Sequence, residues 1–146
     1  MKISKVRIFA SLLDMAGDYL PKEKYEHSLR VMLNVMTNEH IPEDIHDDCI
    51  LAAIVHDLIE DGGVTVSMLP VNADDSIREA VQLLTYDRSM PYDEYIKAIK
   101  KCKNTRYGLI AYWVKIADMK DHLTQKATLT DKLKAKYLSA LPYLLL

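Results

Sequence analysis

The sequence predicts an all-α fold, and three observations support this prediction. Of the 146 residues 49% are hydrophobic, while only four Gly and five Pro interrupt them, a composition that favours long helices over strands joined by turns. Apolar residues recur at intervals of three and four along most of the chain. No stretch alternates convincingly between apolar and polar residues, as the strand of a half-exposed sheet does. We therefore predict a bundle of six or seven helices.

Prolines and glycines define the helices of the first half of the chain. Pro21 closes the first periodic segment, and Pro42 lies just before the third. The third segment runs into Gly62 and Gly63, which suit a helix end because glycine adopts positive φ without strain. We expect helices at residues 3–20, 24–38 and 43–61.

The second half begins with a short β-branched stretch, residues 64–67. Glycines and Pro70 bound it, so we expect a loop or a single turn there. Asp74 and Asp75 are residues of the kind that cap a helix, and Pro91 is typical of a helix start. We expect the remaining helices at residues 76–84, 92–101, 106–125 and 129–144.

The bulk properties restrict the class of protein. The length suits one domain, residues 1–146, with a single core. The net charge of −2 provides no basic surplus for a nucleic-acid backbone, so we expect no polymer partner. The first helix lacks the continuous apolar run of a signal peptide, and we expect a cytoplasmic protein without membrane contact. Cys49 and Cys102 belong to no CxxC pattern and are predicted to be reduced and free.

The C-terminal turns of the third predicted helix carry a concentration of polar side chains. His56 stands one turn before Glu60. Asp57 stands one turn before Asp61, so the four groups would form two adjacent columns. Three carboxylates at a helix C-terminus oppose the helix dipole, and a bound divalent cation would offset that cost. The alternative is an exposed acidic helix end that pairs with lysines from elsewhere in the chain.

The His-Asp dipeptide is weak evidence by itself, because the chain contains it at residues 46–47 and again at 56–57. The two copies are about 15 Å apart along a helix, so they cannot share an ion. The first copy has apolar residues at the positions of the downstream acidic pair. We interpret His46, and also His40, as solvated surface residues.

His27 in the second predicted helix and Asp118 in the sixth can be assembled with His56 and Asp57 into one metal site. Two imidazoles and two carboxylates would hold a divalent cation. A cation so held can bind a phosphate oxygen and acidify a water at the same time, which indicates hydrolysis at phosphorus. Taken singly, His27 and Asp118 would be ordinary core or salt-bridge residues.

Three sequence blocks resemble those of a known enzyme family. They are LAAIVHDLIED at residues 51–61, LLTYDR with YDEYI at residues 83–88 and 92–96, and VKIAD at residues 114–118. With the two isolated ligands, the stretch 27–122 resembles the HD superfamily of metal-dependent phosphohydrolases. Within it, the chain looks most similar to small stand-alone relatives of the RelA/SpoT-type alarmone hydrolases, which are guanosine-3′,5′-bis(diphosphate) 3′-pyrophosphohydrolases.

The resemblance implies an HD-domain helical bundle in which one divalent ion is bound by His27, His56, Asp57 and Asp118. Mn²⁺ is the expected ion, with Fe²⁺, Zn²⁺, Co²⁺ or Ni²⁺ as alternatives for this nitrogen and oxygen donor set. The resemblance also assigns Glu60 and Asp61 to the attacking water. We expect Glu60 to act as the base or to orient the water, with Asp61 assisting it.

Three residues are predicted to contact the substrate: Lys115, Arg30 and His122. Lys115 lies one turn before Asp118, where it would neutralise phosphate charge; the alternative is a surface lysine paired with Asp118 or Asp121. Arg30 follows the first histidine by one turn. His122 stands where the family commonly has Asn, and the alternative for it is an ordinary exposed histidine.

The predicted function is therefore metal-dependent hydrolysis of a nucleotide pyrophosphate such as (p)ppGpp, with a small-molecule nucleotide as the partner. A nucleotide phosphomonoesterase resembling a 5′-nucleotidase is the second interpretation. A third is a non-catalytic module that the metal stabilises and that binds a nucleotide or a protein. Tyr137 and Tyr143 would lie either in a homodimer contact or in the core of the monomer.

Overall fold

The computed structural model describes residues 1–72 and 75–146, and these residues are helical without a strand. The α-helices are α1 (Ile3–Tyr19), α2 (Lys22–Met36), α3 (Glu43–Val55), α4 (Leu58–Gly62), α5 (Ser76–Leu84), α6 (Tyr92–Lys101), α7 (Arg106–Thr124) and α8 (Asp131–Leu145). Because α3 and α4 together occupy the third predicted helix, the described residues form seven helical segments. The all-α prediction is confirmed.

Most predicted boundaries lie within two residues of the observed ones. A proline stands at the N-cap position of α2, α3 and α6, and a capping side chain is present at the starts of α5, α7 and α8. The side chain of Asp75 accepts a hydrogen bond from the backbone N–H of Ile77 at the start of α5. Asp74, the other predicted cap residue, lies outside the described residues. The stretch predicted as a loop or single turn contains one 3₁₀ turn, Val66–Met68. The observed helix starts therefore follow from the sequence signals.

Two helices, α3 and α7, form the centre of the bundle. α3 packs against α1, α2, α5 and α7, while α7 also contacts α6 and α8. The second half of α3 is buried on every side, because even Ala52 and Ala53 have no exposed surface. This burial fixes the C-terminal end of α3 in the middle of the protein. Among the described residues, no helix has both the length and the apolar character needed to cross a membrane.

The third helix is interrupted at His56 and Asp57, contrary to the continuous helix predicted for residues 43–61. Asp57 has φ −103° and ψ 0°, and the helix resumes at Leu58. The ring of His56 donates from Nδ1 to the carbonyl of Ala53 at 2.7 Å, which occupies an acceptor at the end of α3. Gly63, with φ 67°, then ends α4. Asp57 and Asp61 nevertheless lie one turn apart as predicted, because the backbone N–H of Asp61 donates to the carbonyl of Asp57 at 2.8 Å. The continuous helix was wrong, but this column of polar groups was not.

Candidate metal centre

Three separate parts of the fold bring the predicted ligands together. α2 contributes His27, the break after α3 contributes His56 and Asp57, and α7 contributes Asp118. The two histidines and Asp118 are buried, while Asp57 is partly exposed. One donor atom from each residue lies within 4.8 Å of the others. These four residues form what we call the His–Asp cluster, a group that could hold a metal ion.

The spacing of the donor atoms fits a single cation. Nε2 of His27 lies 2.8 Å from Oδ1 of Asp118 and 3.6 Å from Oδ2 of Asp57. Nε2 of His56 lies 3.3 Å and 3.2 Å from the same two oxygens. A cation with bonds of about 2.1 Å separates neighbouring ligand atoms by about 3.0 Å in octahedral geometry and about 3.4 Å in tetrahedral geometry. The observed spacings bracket both values.

Hydrogen bonds to the far side of each imidazole determine which nitrogen faces the cluster. Nδ1 of His27 donates to Asp121 at 2.7 Å, and Nδ1 of His56 donates to the carbonyl of Ala53 at 2.7 Å. In a neutral imidazole the other nitrogen, Nε2, then carries a lone pair. With a cation bound, both rings would be neutral, and the cation would satisfy the two lone pairs and the two carboxylates together. Without it, a proton on Nε2 of His56 takes that place, in agreement with the raised pKa of His56 described below. Such outer hydrogen bonds are the usual means by which proteins orient metal-binding histidines.

The electrostatics of the cluster support the same interpretation. Burial disfavours the charged form of His56, but Asp57 and Asp118 outweigh it and raise the pKa of His56 well above its usual range. Burial also opposes ionisation of Asp118. Lys115 and the surrounding imidazoles nevertheless hold the pKa of Asp118 well below its usual value. The cluster therefore retains positive charge around its carboxylates, which a divalent cation would also supply.

Lys115 is buried beside the cluster, so the prediction of a surface lysine is wrong. Its Nζ lies 2.8 Å from Oδ2 of Asp118, the oxygen that the histidines do not contact. The predicted pairing with Asp118 is thus confirmed. Lys115 also lines the cavity described below, and its contact with a phosphate stays a prediction.

The guanidinium of Arg30 is paired with a carboxylate of the protein. Its Nε lies 2.8 Å from Oδ1 of Asp121 and its Nη2 lies 3.1 Å from Oδ2. Asp121 in turn accepts from His27, so the three side chains form a chain that ends at the cluster. The geometry gives Arg30 a role in holding Asp121, and contact between Arg30 and a substrate stays a prediction.

His122 lies at the outer edge of the cluster. Its Nε2 is 3.3 Å from Oδ1 of Asp118, and its ring is stacked on that of Tyr137 with centroids 5.0 Å apart. The side chain is 32% exposed, so His122 is not an ordinary surface histidine. Tyr137 is buried, which places it in the wall of the monomer and removes it from the proposed dimer contact. Contact between His122 and a substrate stays a prediction.

Glu60 and Asp61 follow the break and form an acidic group with Asp57, with carboxylate oxygens within 4.8 Å of one another. Glu60 accepts a hydrogen bond from the backbone N–H of Tyr86 at 2.7 Å. Partial loss of hydration at the cavity wall raises the pKa of Glu60, and the charges of Asp57 and Asp61 add to this effect. Asp61 lies 3.6 Å from the ammonium of Lys24. Both carboxylates are next to the cluster, as predicted.

A cavity of about 740 Å³ opens over the His–Asp cluster. Its volume lies in the range of small-molecule sites. The cationic side chains in its wall are Lys24, Arg30, Arg88, Lys115 and Lys136. The tyrosines in its wall are Tyr86, Tyr92, Tyr95 and Tyr137. Carboxylates line the cavity as well, and they oppose an anion unless a divalent cation is bound at the cluster. With that cation, the lysines, arginines and aromatic rings suit an anion that carries a planar ring.

Several of these residues could not be assigned to the site from the sequence. Asp121 gave a signal, because it lies one turn after Asp118 and shares its helix face. The sequence contained no signal for Lys136, since its place in the cavity wall depends on how α8 packs against α6 and α7. Tyr92 and Tyr95 are one turn apart, but an aromatic pair at that spacing usually belongs to a core. In the structure Tyr92 and Tyr95 both pack against the core and both line the cavity.

Comparison of the sequence with protein-family models and with curated proteins identified no relative. The sequence matches no model of a protein family, and no curated protein matches it significantly. The resemblance of the three sequence blocks to a phosphohydrolase family therefore stays a prediction, and the argument for function depends on the geometry and chemistry of the site.

Proposed function

We propose that this protein is a metal-dependent phosphohydrolase of the HD type that acts on a nucleotide pyrophosphate. The observation that carries the proposal is the convergence of two Nε2 atoms and two carboxylates in the His–Asp cluster, with both Nδ1 atoms already bonded elsewhere. This donor set suits Mn²⁺ and the related divalent ions. When bound, the ion would polarise a phosphate oxygen and lower the pKa of a coordinated water.

The residues around the cluster have separate tasks in this proposal. Asp121 holds the ring of His27 in the orientation that presents Nε2. Lys115 holds Asp118 ionised and places a positive charge in the cavity wall, where negative charge develops as phosphorus is attacked. Both side chains are fixed by short contacts, so their positions require little rearrangement when a substrate arrives.

Glu60 is the proposed base. It lies at the cavity wall with one oxygen held by the N–H of Tyr86, which leaves its other oxygen available for a water. The pKa of Glu60 is raised towards neutral pH, and a carboxylate with a higher pKa is a more effective general base. Water attacks phosphorus, its proton passes to Glu60, and the bond from phosphorus to the leaving oxygen breaks. Asp61, beside Lys24, would help to orient that water.

The cavity supports a nucleotide as the substrate class. Its cationic residues provide partners for phosphate groups, and its tyrosines provide surfaces on which a base or sugar can pack. A pyrophosphate ester such as (p)ppGpp is the preferred member of this class because of the sequence resemblance. The cavity alone does not distinguish it from a nucleoside monophosphate, so the product must be identified.

The test is a phosphate-release screen on a panel of nucleotides, with and without Mn²⁺. The intact chain is compared with Asp57→Asn, and the matched control is Asp47→Asn, which changes the same residue type in the other His-Asp dipeptide. We expect turnover that depends on Mn²⁺ in the intact chain and in Asp47→Asn but not in Asp57→Asn. Release of pyrophosphate supports the proposal, while release of orthophosphate alone supports the phosphomonoesterase. Tight Mn²⁺ binding without turnover of any nucleotide would support the non-catalytic module.

A further inference from the structure

The cations of the cavity differ in whether they already have a counter-ion. Three of the five are paired with carboxylates: Lys24 with Asp61 at 3.6 Å, Arg30 with Asp121 at 2.8 Å, and Lys115 with Asp118 at 2.8 Å. The remaining two are Lys136 and Arg88. Within residues 1–72 and 75–146, neither has a carboxylate at ion-pair distance. Their charges are therefore available to a bound anion.

Lys136 is held within the tyrosines of the cavity wall. Its Nζ lies 4.0 Å from the ring centroid of Tyr92, 5.4 Å from that of Tyr137 and 5.9 Å from that of Tyr86. These contacts stabilise the ammonium by cation–π attraction but supply no negative charge. Partial burial and then the charge of Lys115 lower the pKa of Lys136. Asp118 and Glu60 oppose this shift from beyond ion-pair distance, so the ammonium has lost water without gaining a carboxylate in direct contact, a cost that a bound anion would relieve.

The ring of Tyr92 links Lys136 to the His–Asp cluster. The ammonium of Lys115, which binds Asp118, lies 5.9 Å from the same ring centroid. The hydroxyl oxygen of Tyr92 is buried, and no hydrogen bond of good geometry reaches it from the described residues, although the charge of Lys115 acts on it. A buried hydroxyl without a partner is unfavourable in a folded protein unless a ligand or water supplies one. Two ammonium groups and an unused hydroxyl are therefore gathered around one ring.

We propose that Lys136 is an anion-binding residue of the cavity and that it holds a phosphate group of the substrate other than the one at the His–Asp cluster. Lys115 already provides the ammonium beside the cluster. Lys136 provides another within reach of the same ligand, because both contact Tyr92. The inference rests on the proposed function and refines it: the preferred substrate carries at least two phosphate groups, and Lys136 discriminates it from a monophosphate.

The test measures binding and not turnover. Protein loaded with Mn²⁺ and freed of excess metal is titrated calorimetrically with methylenediphosphonate, which has two phosphonate groups and is not hydrolysed, and with methylphosphonate, which has one. Lys136→Gln is compared with the intact chain and with Lys134→Gln, an exposed lysine of the same helix outside the cavity. Circular dichroism melts confirm that each variant is folded, and Lys136→Arg tests for rescue by a second cation.

We expect Lys136→Gln to weaken methylenediphosphonate binding by about 10-fold or more, the effect of losing one charge-assisted contact. Methylphosphonate binding and the Lys134→Gln variant should change by less than about 2-fold, the range of a surface substitution, and Lys136→Arg should restore most of the affinity. Equal affinities in Lys136→Gln and the intact chain would overturn the inference, as would equal loss for the two probes. If the selective loss occurs while the nucleotide screen shows no turnover, the Lys136 site stands and hydrolysis fails.

Discussion

Two copies of the His-Asp dipeptide lie at the two ends of α3, and they have different surroundings. In the first copy His46 is half-buried, and its Nε2 donates to the carbonyl of Val35 at 2.7 Å. Asp47 accepts a hydrogen bond from the backbone N–H of Lys2 at 3.0 Å. His46 was predicted to be a solvated surface residue and is only partly exposed, while His40 is exposed as predicted. The first copy thus satisfies its polar atoms within the neighbouring backbone.

In the second copy the opposite ring nitrogen donates to the backbone. Nδ1 of His56 is bonded to a carbonyl, so Nε2 is left to face Asp57 and Asp118. His27 joins from α2 and supplies a second Nε2. The difference shows that the dipeptide does not determine the chemistry. The ring nitrogen that remains free, and the residues that the fold brings to it, determine whether a cation can bind.

The most direct contrast between the two copies is in stabilisation by metal. Mn²⁺ at 100 times its dissociation constant should raise the free energy of unfolding of the intact chain by about 2.7 kcal/mol, because it binds only the folded state. The variant His46→Gln/Asp47→Asn should show the same increase. The variant His56→Gln/Asp57→Asn should show none, because two of the four ligands are lost. Urea unfolding with Mn²⁺ and with EDTA measures each difference.

The comparison is made within each protein, with metal against without, so a general loss of stability in either variant does not affect it. Equal stabilisation of the two double variants would show that the cation binds elsewhere.

The acidic residues that follow the second copy provide the next contrast, because the first copy has apolar residues at the same positions. Glu60→Gln keeps the shape of the side chain but removes the base. We expect turnover to fall by about 100- to 10,000-fold, with the Mn²⁺ dissociation constant unchanged. Glu43→Gln, an exposed glutamate at the start of α3, is the control. Steady-state product release and calorimetry measure the two quantities, and undiminished turnover would discard the role of Glu60.

A smaller effect should come from the carboxylate behind His27. Asp121→Asn leaves an oxygen that can accept from Nδ1 of His27 but removes the negative charge and one half of the pair with Arg30. Loss of such an orienting carboxylate weakens metal binding by about 10- to 100-fold, and we expect the lower end because the amide oxygen remains. Calorimetric titration with Mn²⁺ measures it, with Asp47→Asn as control. An unaltered affinity would leave Asp121 only a packing role with Arg30.

The sequence allowed most helices to be placed within two residues, because apolar periodicity and proline boundaries are local properties. The break at His56 and Asp57 was not predicted. Neither residue is a helix breaker, and the break coincides with a bond between the ring of His56 and the carbonyl of Ala53, a bond that goes with the ring orientation seen in the cluster. The local pattern was overridden by a tertiary arrangement.

The site was predicted in part for the same reason. The four members of the His–Asp cluster were identified because their residue types are those of metal ligands. The burial of Lys115 could not be predicted, since it depends on the tyrosines of α6 that cover it. Lys136 could not be assigned, because its sequence neighbours on α8 include the exposed Lys132 and Lys134. Only the packing of α8 separates one cavity lysine from two surface lysines.

The last contrast tests the buried part of α3 that joins the two copies. Burial, followed by the charge of Asp48, raises the pKa of the Cys49 thiol to about 12, well above its value of about 8.5 in an unfolded chain. At pH 7 the thiol is protonated in both states, and as the pH rises above about 8.5 only the unfolded state loses the proton. Stability therefore falls with rising pH, by about 2 kcal/mol at pH 10 relative to pH 7. Urea unfolding at both pH values should show a loss in the intact chain that exceeds the loss in Cys49→Ala by about 2 kcal/mol. The buried Tyr95 and Tyr137, whose pKa values are also raised, contribute equally to both proteins, and Cys102 stays in place in both. Equal losses in the two proteins would mean that the thiol of Cys49 is solvated and that α3 opens between its two dipeptides.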